Sequence, residues 1–360
     1  MRVAIVTFPL VNNYGGIIQA YALMELIKEL GHQPILVNLQ PERKIKALSK
    51  YFIHRYLLFF SKNSRSYPKL VRDSKLNNFI MNYMVPKTIE IRNSHELRMH
   101  FQKVHYDACI VGSDQVFASM GFTNFINDFS LGFVPDYTLK LSYAASFGGS
   151  GFRGDKTTIP YHAENLKKFD AISVREKSAV NICKELFEVD SLHVLDPTMM
   201  MNKSFYIRSL GLEHLSNQRE ELFAYVLDSS DVKRKLLSEY AFRRSISLNL
   251  LNDGNKSGRV ISMESWLESI LNAKHVITDS FHGCVFCIIF NKPFHCFVNE
   301  QRGADRFYSL LGLFGLETRI IKGDTDSIVD ADIDWSFVNE RLSVMRKVSE
   351  EFLINGLLKS

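Results

Sequence analysis

Short runs of apolar, often β-branched residues alternate along the chain with longer segments of helical periodicity. An apolar run of about four to eight residues is typical of a buried parallel strand, and the longer segments suit crossover helices. The pattern predicts strands at residues 3–8, 35–39, 108–111, 141–145, 171–174, 222–227, 276–278 and 294–297. It predicts helices at residues 17–30, where Gly31 ends the helix, and at residues 334–358.

This alternation predicts an α/β fold in which two doubly wound, Rossmann-like domains face each other across a cleft. We expect residues 1–199 to form the first domain and residues 200–333 the second, with a connector at residues 196–204. Residues 334–360 would form a C-terminal helix that packs back on the first domain. In such a fold, ligands bind in the cleft where the carboxyl ends of the strands meet.

The composition is that of a globular protein of about two domains, because 46% of the 360 residues are hydrophobic and 23% are charged. No apolar run reaches the roughly 18 residues that cross a bilayer, and the N-terminal run is too short for a secretory signal. The five cysteines are odd in number and scattered among apolar residues. Free thiols in a reducing compartment are therefore expected, which favours the cytoplasm.

Positive charge is concentrated in residues 41–80. This segment has ten lysines and arginines against two acids, a formal net charge of +8, which leaves −3 for the rest of a chain whose total is +5. It also contains an aromatic run at residues 51–60. Apolar groups flanked by cations suit an anionic membrane surface, and the alternative is a helix packed on the core with a solvated basic face. Nothing resembles a nucleic-acid-binding module, so no nucleic-acid partner is expected.

The first candidate site is the string of two asparagines, a tyrosine and two glycines at residues 12–16, between a predicted strand and a predicted helix. Glycine lets the backbone approach a ligand closely, and a helix N-terminus offers free N–H groups and a partial positive charge. The string therefore suits an anion or a diphosphate. The alternative is a tight turn that needs glycine.

Polar residues also stand at the ends of other strands predicted in the first domain. Ser113 and Asp114 follow one strand, and Asp114 could bind a sugar hydroxyl, act as a base or cap a helix. Arg175 follows another, and its planar guanidinium could hold a carboxylate or phosphate, or pair with Glu176 at the surface. Asp196 precedes a proline and could hold the connector in place.

The second domain contributes His282, in the string Thr-Asp-Ser-Phe-His-Gly at residues 278–283. An imidazole titrates near neutral pH and can act as a general acid, and the helix N-terminus beside it favours an anion. The alternative is a structural histidine. Arg302 and Arg306 lie four residues apart, which suits a dianion if they face the cleft and otherwise indicates a solvated loop.

A metal site is not expected. Cys284, Cys287, His295 and Cys296 have a spacing that superficially resembles zinc ligands. The residues around the two helical cysteines are apolar, however, and a buried free cysteine behaves as a small hydrophobic residue.

In order along the chain, seven strings resemble the polysaccharide pyruvyl transferase family. They are NNYGGIIQAYAL, YDACIVGSDQVF, SYAASFG, ISVRE, VLDPT, ITDSFHGCVFCIIFNKPF and RGADRF. The resemblance covers roughly residues 3–312. The resemblance implies a fold similar to two-domain (GT-B-type) glycosyltransferases. It also implies transfer of pyruvate from phosphoenolpyruvate to two hydroxyls of a sugar, which forms a cyclic ketal and releases phosphate.

The resemblance further implies a role in bacterial surface-polysaccharide synthesis, such as a capsule or exopolysaccharide. The acceptor would be a lipid-linked saccharide on the cytoplasmic face of the membrane. No cofactor or metal is implied, because phosphoenolpyruvate is itself the donor substrate.

The site residues are assigned on the resemblance in three groups. The catalytic residues would be His282 as general acid, Asp114 to orient or deprotonate the acceptor, and Arg175 to hold the donor's carboxylate or phosphate. The residues expected to bind the donor are Ser280, Gly283, Arg302 and Arg306. The residues expected to bind the acceptor are Asn13, Tyr14, Gly15, Gly16 and Ser113.

The sequence departs from the family pattern at Phe281, because many members carry an arginine directly before the corresponding His-Gly pair. Arg302 and Arg306 are the candidates to replace that positive charge. The departure keeps two alternatives open. One is a glycosyltransferase of the same fold that uses a nucleotide sugar, and the other is a saccharide-binding relative without catalytic activity.

Overall fold

The computed structural model describes residues 1–11, 13–41, 67–121, 124–125, 127–149, 151–212, 218–252, 261–298, 303–323, 328 and 331–359, without the side chains of residues 67–73 and 252. Most of the basic segment at 41–80, including its aromatic run, lies outside the described residues. So does Arg302.

Helices and strands alternate as the sequence predicts. Those up to residue 200 are β1 (Arg2–Val6), α1 (Tyr14–Glu29), β2 (Gln33–Leu36), α2 (Tyr67–Tyr83), α3 (Ser94–Lys103), β3 (Ala108–Val111), β4 (Leu139–Ala145), α4 (Ile159–Leu166), β5 (Ala171–Val174), α5 (Lys177–Phe187), β6 (Leu192–His193) and α6 (Pro197–Met200). Those that follow are α7 (Lys203–Ser209), β7 (Arg219–Val226), α8 (Asp231–Arg243), β8 (Ser247–Asn252), α9 (Met263–Asn272), β9 (Ala273–Thr278), α10 (Phe281–Phe290), β10 (Phe294–Cys296), α11 (Asp305–Phe314) and α12 (Trp335–Leu357).

The strands form two parallel sheets. In the described residues the first has the order β2-β1-β3-β4-β5-β6, and the second has the order β8-β7-β9-β10. The predicted α/β class with doubly wound parallel sheets is confirmed. In each sheet the second strand lies on one side of the first strand, and the later strands lie on its other side. The switch points in strand order therefore lie between β1 and β3 and between β7 and β9. Ligands of open parallel sheets bind at the carboxyl ends of the strands beside such a point.

The strands at 108–111 and 171–174 have the predicted bounds, whereas the strand predicted at 3–8 ends at Val6. The apolar pattern missed β6 and β8. β6 has only two residues, and β8 lies at the edge of its sheet with alternating polar positions. The connector predicted at 196–204 contains α6 and the first two residues of α7.

The two sheets share one apolar core that includes residues from β1, α1, β9 and α10. Tyr14 on α1 is buried in it, and its ring stacks on Trp266 of α9 with the ring centroids 5.3 Å apart. The Tyr14 hydroxyl donates to the Ile261 carbonyl at 2.7 Å. The N-terminal end of α1 is therefore held against the second sheet.

The C-terminal helix α12 contacts the first sheet and the connector. Gly356 lies against Leu141 of β4 and Ala171 of β5, where a Cβ would come within 2.5 Å of the Leu141 side chain. The Arg346 guanidinium donates to the Met199 carbonyl at 2.6 Å. The domain boundaries at 199 and 333 remain a prediction. Among the described residues, no helix is both long enough and apolar enough to span a membrane.

Candidate functional site

α1 follows β1 and α10 follows β9, so each of these helices begins at the switch point of its own sheet. The residues that begin these helices face each other. A Cβ on Gly15 would lie 2.2 Å from Nδ1 of His282, so the imidazole occupies the space that any other side chain at position 15 would fill. Two motifs far apart in sequence are thereby brought into contact.

Asp196 is the polar centre of this contact. Its Oδ2 accepts hydrogen bonds from the Ser113 hydroxyl and from Arg175 Nη1, both at 2.8 Å. Its Oδ1 accepts from the backbone N–H of Thr198 at 3.0 Å and from the Thr198 hydroxyl at 2.6 Å. His282 Nε2 lies 3.4 Å from Oδ2, an ion-pair contact that connects the second sheet to this carboxylate.

Asp196 is 2% exposed. Burial by itself would raise the pKa of its carboxyl, because a charged carboxylate loses its hydration there. The opposite and larger effect comes from His282, Arg175 and the Thr198 hydroxyl, which together hold the Asp196 pKa well below its usual range. The carboxylate is thus ionised throughout the physiological pH range.

Arg175 is buried between two carboxylates, with its side chain 2% exposed. Its Nη1 donates to Asp196 and also to the Ser113 carbonyl at 2.8 Å, and its Nε lies 3.7 Å from the Glu176 carboxylate. The surface Arg–Glu pair considered from the sequence is therefore wrong, since both residues are buried. Nε and Nη2 of Arg175 have no hydrogen-bond partner among the described residues.

Phe281, at the position of the expected family arginine, packs against two guanidinium groups. The Arg175 Cζ lies 4.4 Å from its ring centroid, and the Arg306 Cζ lies 5.6 Å from it. A guanidinium at such a distance is attracted to the face of an aromatic ring. Arg306 is 8% exposed, so it belongs to this buried cluster and not to a solvated loop.

A cavity of about 10 Å³ lies beside Arg175, Asp196 and Phe281. That volume holds about one water molecule. A three-carbon phosphate ester is larger than this cavity.

The residues predicted to bind the acceptor have different environments. Asn13 is exposed, and its side chain caps α1 by accepting from the Gly16 N–H at 3.1 Å. Tyr14 and Ser113 are buried, the first in the shared core and the second on Asp196. Asp114 is half-buried and caps the turn at Gln115–Phe117, while its Oδ2 would lie 3.1 Å from a Cβ on Gly16. Of the acceptor set, Asn13 presents polar side-chain atoms outside the core, and Asp114, predicted as a catalytic residue, does so beside it.

The residues predicted to bind the donor are also engaged within the protein. The Ser280 hydroxyl accepts from the Gly283 N–H at 3.3 Å and so caps α10. A Cβ on Gly283 would lie 2.6 Å from the Thr278 hydroxyl, so glycine here permits close packing of helix on strand. Their predicted roles toward the donor, like those of the other site residues, remain predictions.

The spaced cysteines are buried free thiols. Within the part of the chain that the structure describes, no group of three or more histidine, cysteine, aspartate or glutamate side chains could hold a metal ion.

Three carboxylates were missed or undervalued by the sequence reasoning. Asp196 was expected only to hold the connector. Glu176 is buried on the Ser146 hydroxyl, and burial raises its pKa. Asp279 is fully buried and accepts from the N–H groups of Leu227 and Asp228, which joins the ends of β9 and β7. A carboxylate directly after apolar residues was the available signal for Asp196 and Asp279.

The family model described as polysaccharide pyruvyl transferase matches residues 13–301 of the chain. No curated protein matches the sequence significantly.

Solved structures are similar to the chain at low sequence identity. A Methanocaldococcus jannaschii UDP-GlcNAc 2-epimerase, in complex with UDP-GlcNAc and UDP, is 12% identical over 100% of both chains, with a TM-score of 0.52. A Rickettsia bellii UDP-N-acetylglucosamine 2-epimerase is 11% identical over 99% of this chain and 97% of its own, with a TM-score of 0.49. An E. coli heptosyltransferase, WaaC with ADP, is 13% identical over 96% of this chain and 100% of its own, with a TM-score of 0.41. The epimerase with the TM-score of 0.52 confirms the predicted GT-B-type likeness at the level of the fold.

The substitution Asp196→Asn tests the buried carboxylate. It leaves the Arg175 guanidinium buried with half of its countercharge removed, so we expect the free energy of unfolding in urea at pH 7 to fall by about 3–5 kcal/mol. The pKa of Asp196 is lower in the folded than in the unfolded chain, so its stabilisation is present above about pH 4 and is lost as the pH falls further. The difference in the free energy of unfolding between wild type and variant should therefore be constant from about pH 5 to 8 and should decrease below pH 4. The exposed Asp190→Asn is the matched control, and equal losses in the two variants would contradict this account.

Proposed function

The chain belongs to the polysaccharide pyruvyl transferase family, and from this membership we propose that it transfers pyruvate from phosphoenolpyruvate to two hydroxyls of a saccharide acceptor. The products are a cyclic ketal and inorganic phosphate. The observation that carries the proposal is the contact of His282 with Gly15 and Asp196, which puts one titratable group where both switch points meet.

The reaction needs a general acid and positively charged groups that balance the donor's carboxylate and phosphate. Carbon 2 of phosphoenolpyruvate becomes electrophilic when carbon 3 is protonated, and a sugar hydroxyl then adds to carbon 2. The bond from carbon 2 to the phosphate oxygen breaks, and the second hydroxyl closes the ring. The two hydroxyl protons account for the new methyl hydrogen and for the proton that leaves with phosphate, so the reaction needs no oxidant or reductant.

His282 is the proposed general acid. Its Nε2 faces the Asp196 carboxylate, so Nδ1, on the side of Gly15, is the nitrogen available to exchange a proton with a substrate. Asp196 acts through His282 by fixing the orientation of the ring, and the Ser113 and Arg175 hydrogen bonds fix Asp196 in turn. Asp114, half-buried beside the N-terminus of α1, is proposed to orient or deprotonate an acceptor hydroxyl.

The donor's negative charge is proposed to be matched by Arg175 and Arg306, which replace the expected arginine at position 281. Both guanidiniums lie on the ring of Phe281, so displacement of this ring would open them together to a carboxylate or phosphate. The N–H groups at the start of α1 and α10 would add their partial positive charge.

The direct experiment is phosphate release from phosphoenolpyruvate, with and without a panel of lipid-linked galactose, mannose, glucose and N-acetylhexosamine acceptors. Release that depends on one acceptor would establish the reaction and identify the sugar. No release, together with no thermal stabilisation by phosphoenolpyruvate, would overturn the proposal. A melting temperature raised instead by a nucleotide sugar would favour glycosyl transfer on the same fold.

In that assay, His282→Ala should lower kcat by at least about 100-fold, because loss of a general acid costs that much or more. The melting temperature should also fall, since the variant loses the contact of His282 with Asp196, so kcat is compared at a temperature at which both proteins are folded. His95→Ala, at an exposed histidine of α3, is the control and should leave kcat unchanged. A kcat for His282→Ala near that of wild type would remove His282 from the acid role.

A peripheral membrane contact of the basic segment is a further part of the proposal, since the acceptor we propose is lipid-linked. The combined change of Lys44, Lys46, Lys50 and Arg55 to glutamine should reduce co-sedimentation with phosphatidylglycerol vesicles, because each basic residue contributes about 1 kcal/mol at an anionic surface. The loss should be smaller for vesicles of phosphatidylcholine alone. Unchanged co-sedimentation with the anionic vesicles would contradict the contact.

A further inference from the structure

The turn that carries Asp196 is held in place by side chains from other parts of the chain. α6 is a single helical turn, and Asp196 is its N-cap residue. One turn forms few hydrogen bonds of its own, so its backbone carbonyls need other partners. The Tyr206 hydroxyl, from α7, donates to the Thr198 carbonyl at 2.9 Å. The turn also packs among α1, α10 and α12, so the position of the Asp196 carboxylate depends on these neighbours.

Arg346 on α12 binds the turn on the side that follows Asp196. Its Nε donates to the Met199 carbonyl at 2.6 Å, and its Nη2 donates to the Met201 carbonyl at 2.9 Å. A planar guanidinium can bind two acceptors at once in a fixed geometry. Arg346 is half-buried, and burial lowers its pKa, while no carboxylate of the described residues lies within ion-pair distance of it. The partners of this guanidinium are therefore the backbone carbonyls of the turn.

Ser349 on α12 binds the chain on the side that precedes Asp196. Its hydroxyl accepts from the Leu195 N–H at 3.0 Å and donates to the Met345 carbonyl, one turn back in α12, at 2.7 Å. Ser349 is fully buried, where a hydroxyl is unfavourable unless it is hydrogen-bonded. Residues three apart on a helix share a face, so Arg346 and Ser349 reach the turn from the same side.

Packing of α12 does not by itself account for these two polar residues. The helix buries apolar side chains along its length, which are Val338, Leu342, Leu353 and Leu357. At the positions that face the turn it has an arginine and a serine instead, and both bind backbone groups close to Asp196. Because Oδ2 of Asp196 lies 3.4 Å from Nε2 of His282, these hydrogen bonds are connected to the imidazole through one carboxylate.

We propose that α12 is a positioning element of the active site. Arg346 and Ser349 fix the turn of Asp196, and Asp196 then fixes the imidazole of His282. Both are positioning residues, because each acts through Asp196. A turn released on either side would let the carboxylate move away from His282, and a displacement of about 1 Å at a reacting group can cost 100-fold in rate. The effect on the rate rests on the proposed function, whereas the effect on the imidazole does not.

The kinetic test is acceptor-dependent phosphate release from phosphoenolpyruvate by Arg346→Met, which removes the hydrogen-bond donors and keeps a long side chain. The matched control is Arg341→Met, at an exposed arginine of the same helix. We expect kcat to fall at least about tenfold in Arg346→Met and to stay unchanged in the control, at a temperature at which circular dichroism shows every variant folded. Arg346→Lys should recover part of the loss, because an ammonium can still bind one carbonyl.

The same substitution in a His282→Ala background shows whether Arg346 acts through His282. There we expect Arg346→Met to change kcat less than about twofold, because the effects of residues that act in one chain of contacts are not additive. A residue that only supports the fold would lower kcat by the same factor with and without His282.

NMR provides a readout that does not depend on turnover. In protein isotope-labelled at the histidine rings, the His282 resonance is the one that is missing from His282→Ala. It should move in Arg346→Met and in Ser349→Ala and should stay in place in Arg341→Met. Ser349→Ala is the milder change and keeps the test decisive if Arg346→Met fails to fold.

The possible results separate this inference from the proposed function. A His282 resonance that stays in place in the folded Arg346 and Ser349 variants would overturn the inference, as would a loss of kcat of equal size with and without His282. If the wild-type protein releases no phosphate, the proposed function fails, and the resonance alone then decides the inference.

Discussion

The buried carboxylate of Asp196 is the interaction on which the arrangement of the site depends. A carboxylate out of contact with water is costly unless its lone pairs are matched, and here Ser113, Arg175 and Thr198 match them from three separate segments. Because Oδ2 also faces His282, the same carboxylate connects the first sheet to the second. The contacts with His282, Arg175 and Thr198 are what hold the pKa of Asp196 low.

A second constraint is steric and lies at Gly15. Each sheet has its switch point beside its first strand, so the helices that follow β1 and β9 both point their N-termini into the cleft. The helices can approach this closely only because position 15 has no Cβ, which leaves room for the imidazole of His282. The shared core around Tyr14 and Trp266 maintains this approach, so packing far from the chemistry determines the geometry of the site.

The sequence was sufficient for the fold class, for most strands and for the general position of the site, because apolar runs and the polar residues that follow them are local signals. It was insufficient for side-chain partners. Arg175 and Glu176 look like a surface pair in sequence, and only the neighbouring strands show that both are buried. Tyr14 sits in a glycine-rich string typical of ligand sites, yet its partners are Trp266 and Ile261, about 250 residues away along the chain. Such long-range contacts leave no periodic trace.

The central claim is that the contact between Gly15 and His282 positions the reacting group, and Gly15→Ala tests it most directly. The added methyl would lie 2.2 Å from Nδ1 and must displace the ring, whereas the same change at Gly149 meets no atom within 4 Å. The measurement is kcat for phosphate release from phosphoenolpyruvate in the two variants. A fall of at least about tenfold in Gly15→Ala alone, with the melting temperature largely retained, is the result this account predicts. Equal and near-wild-type kcat values in both variants would contradict it.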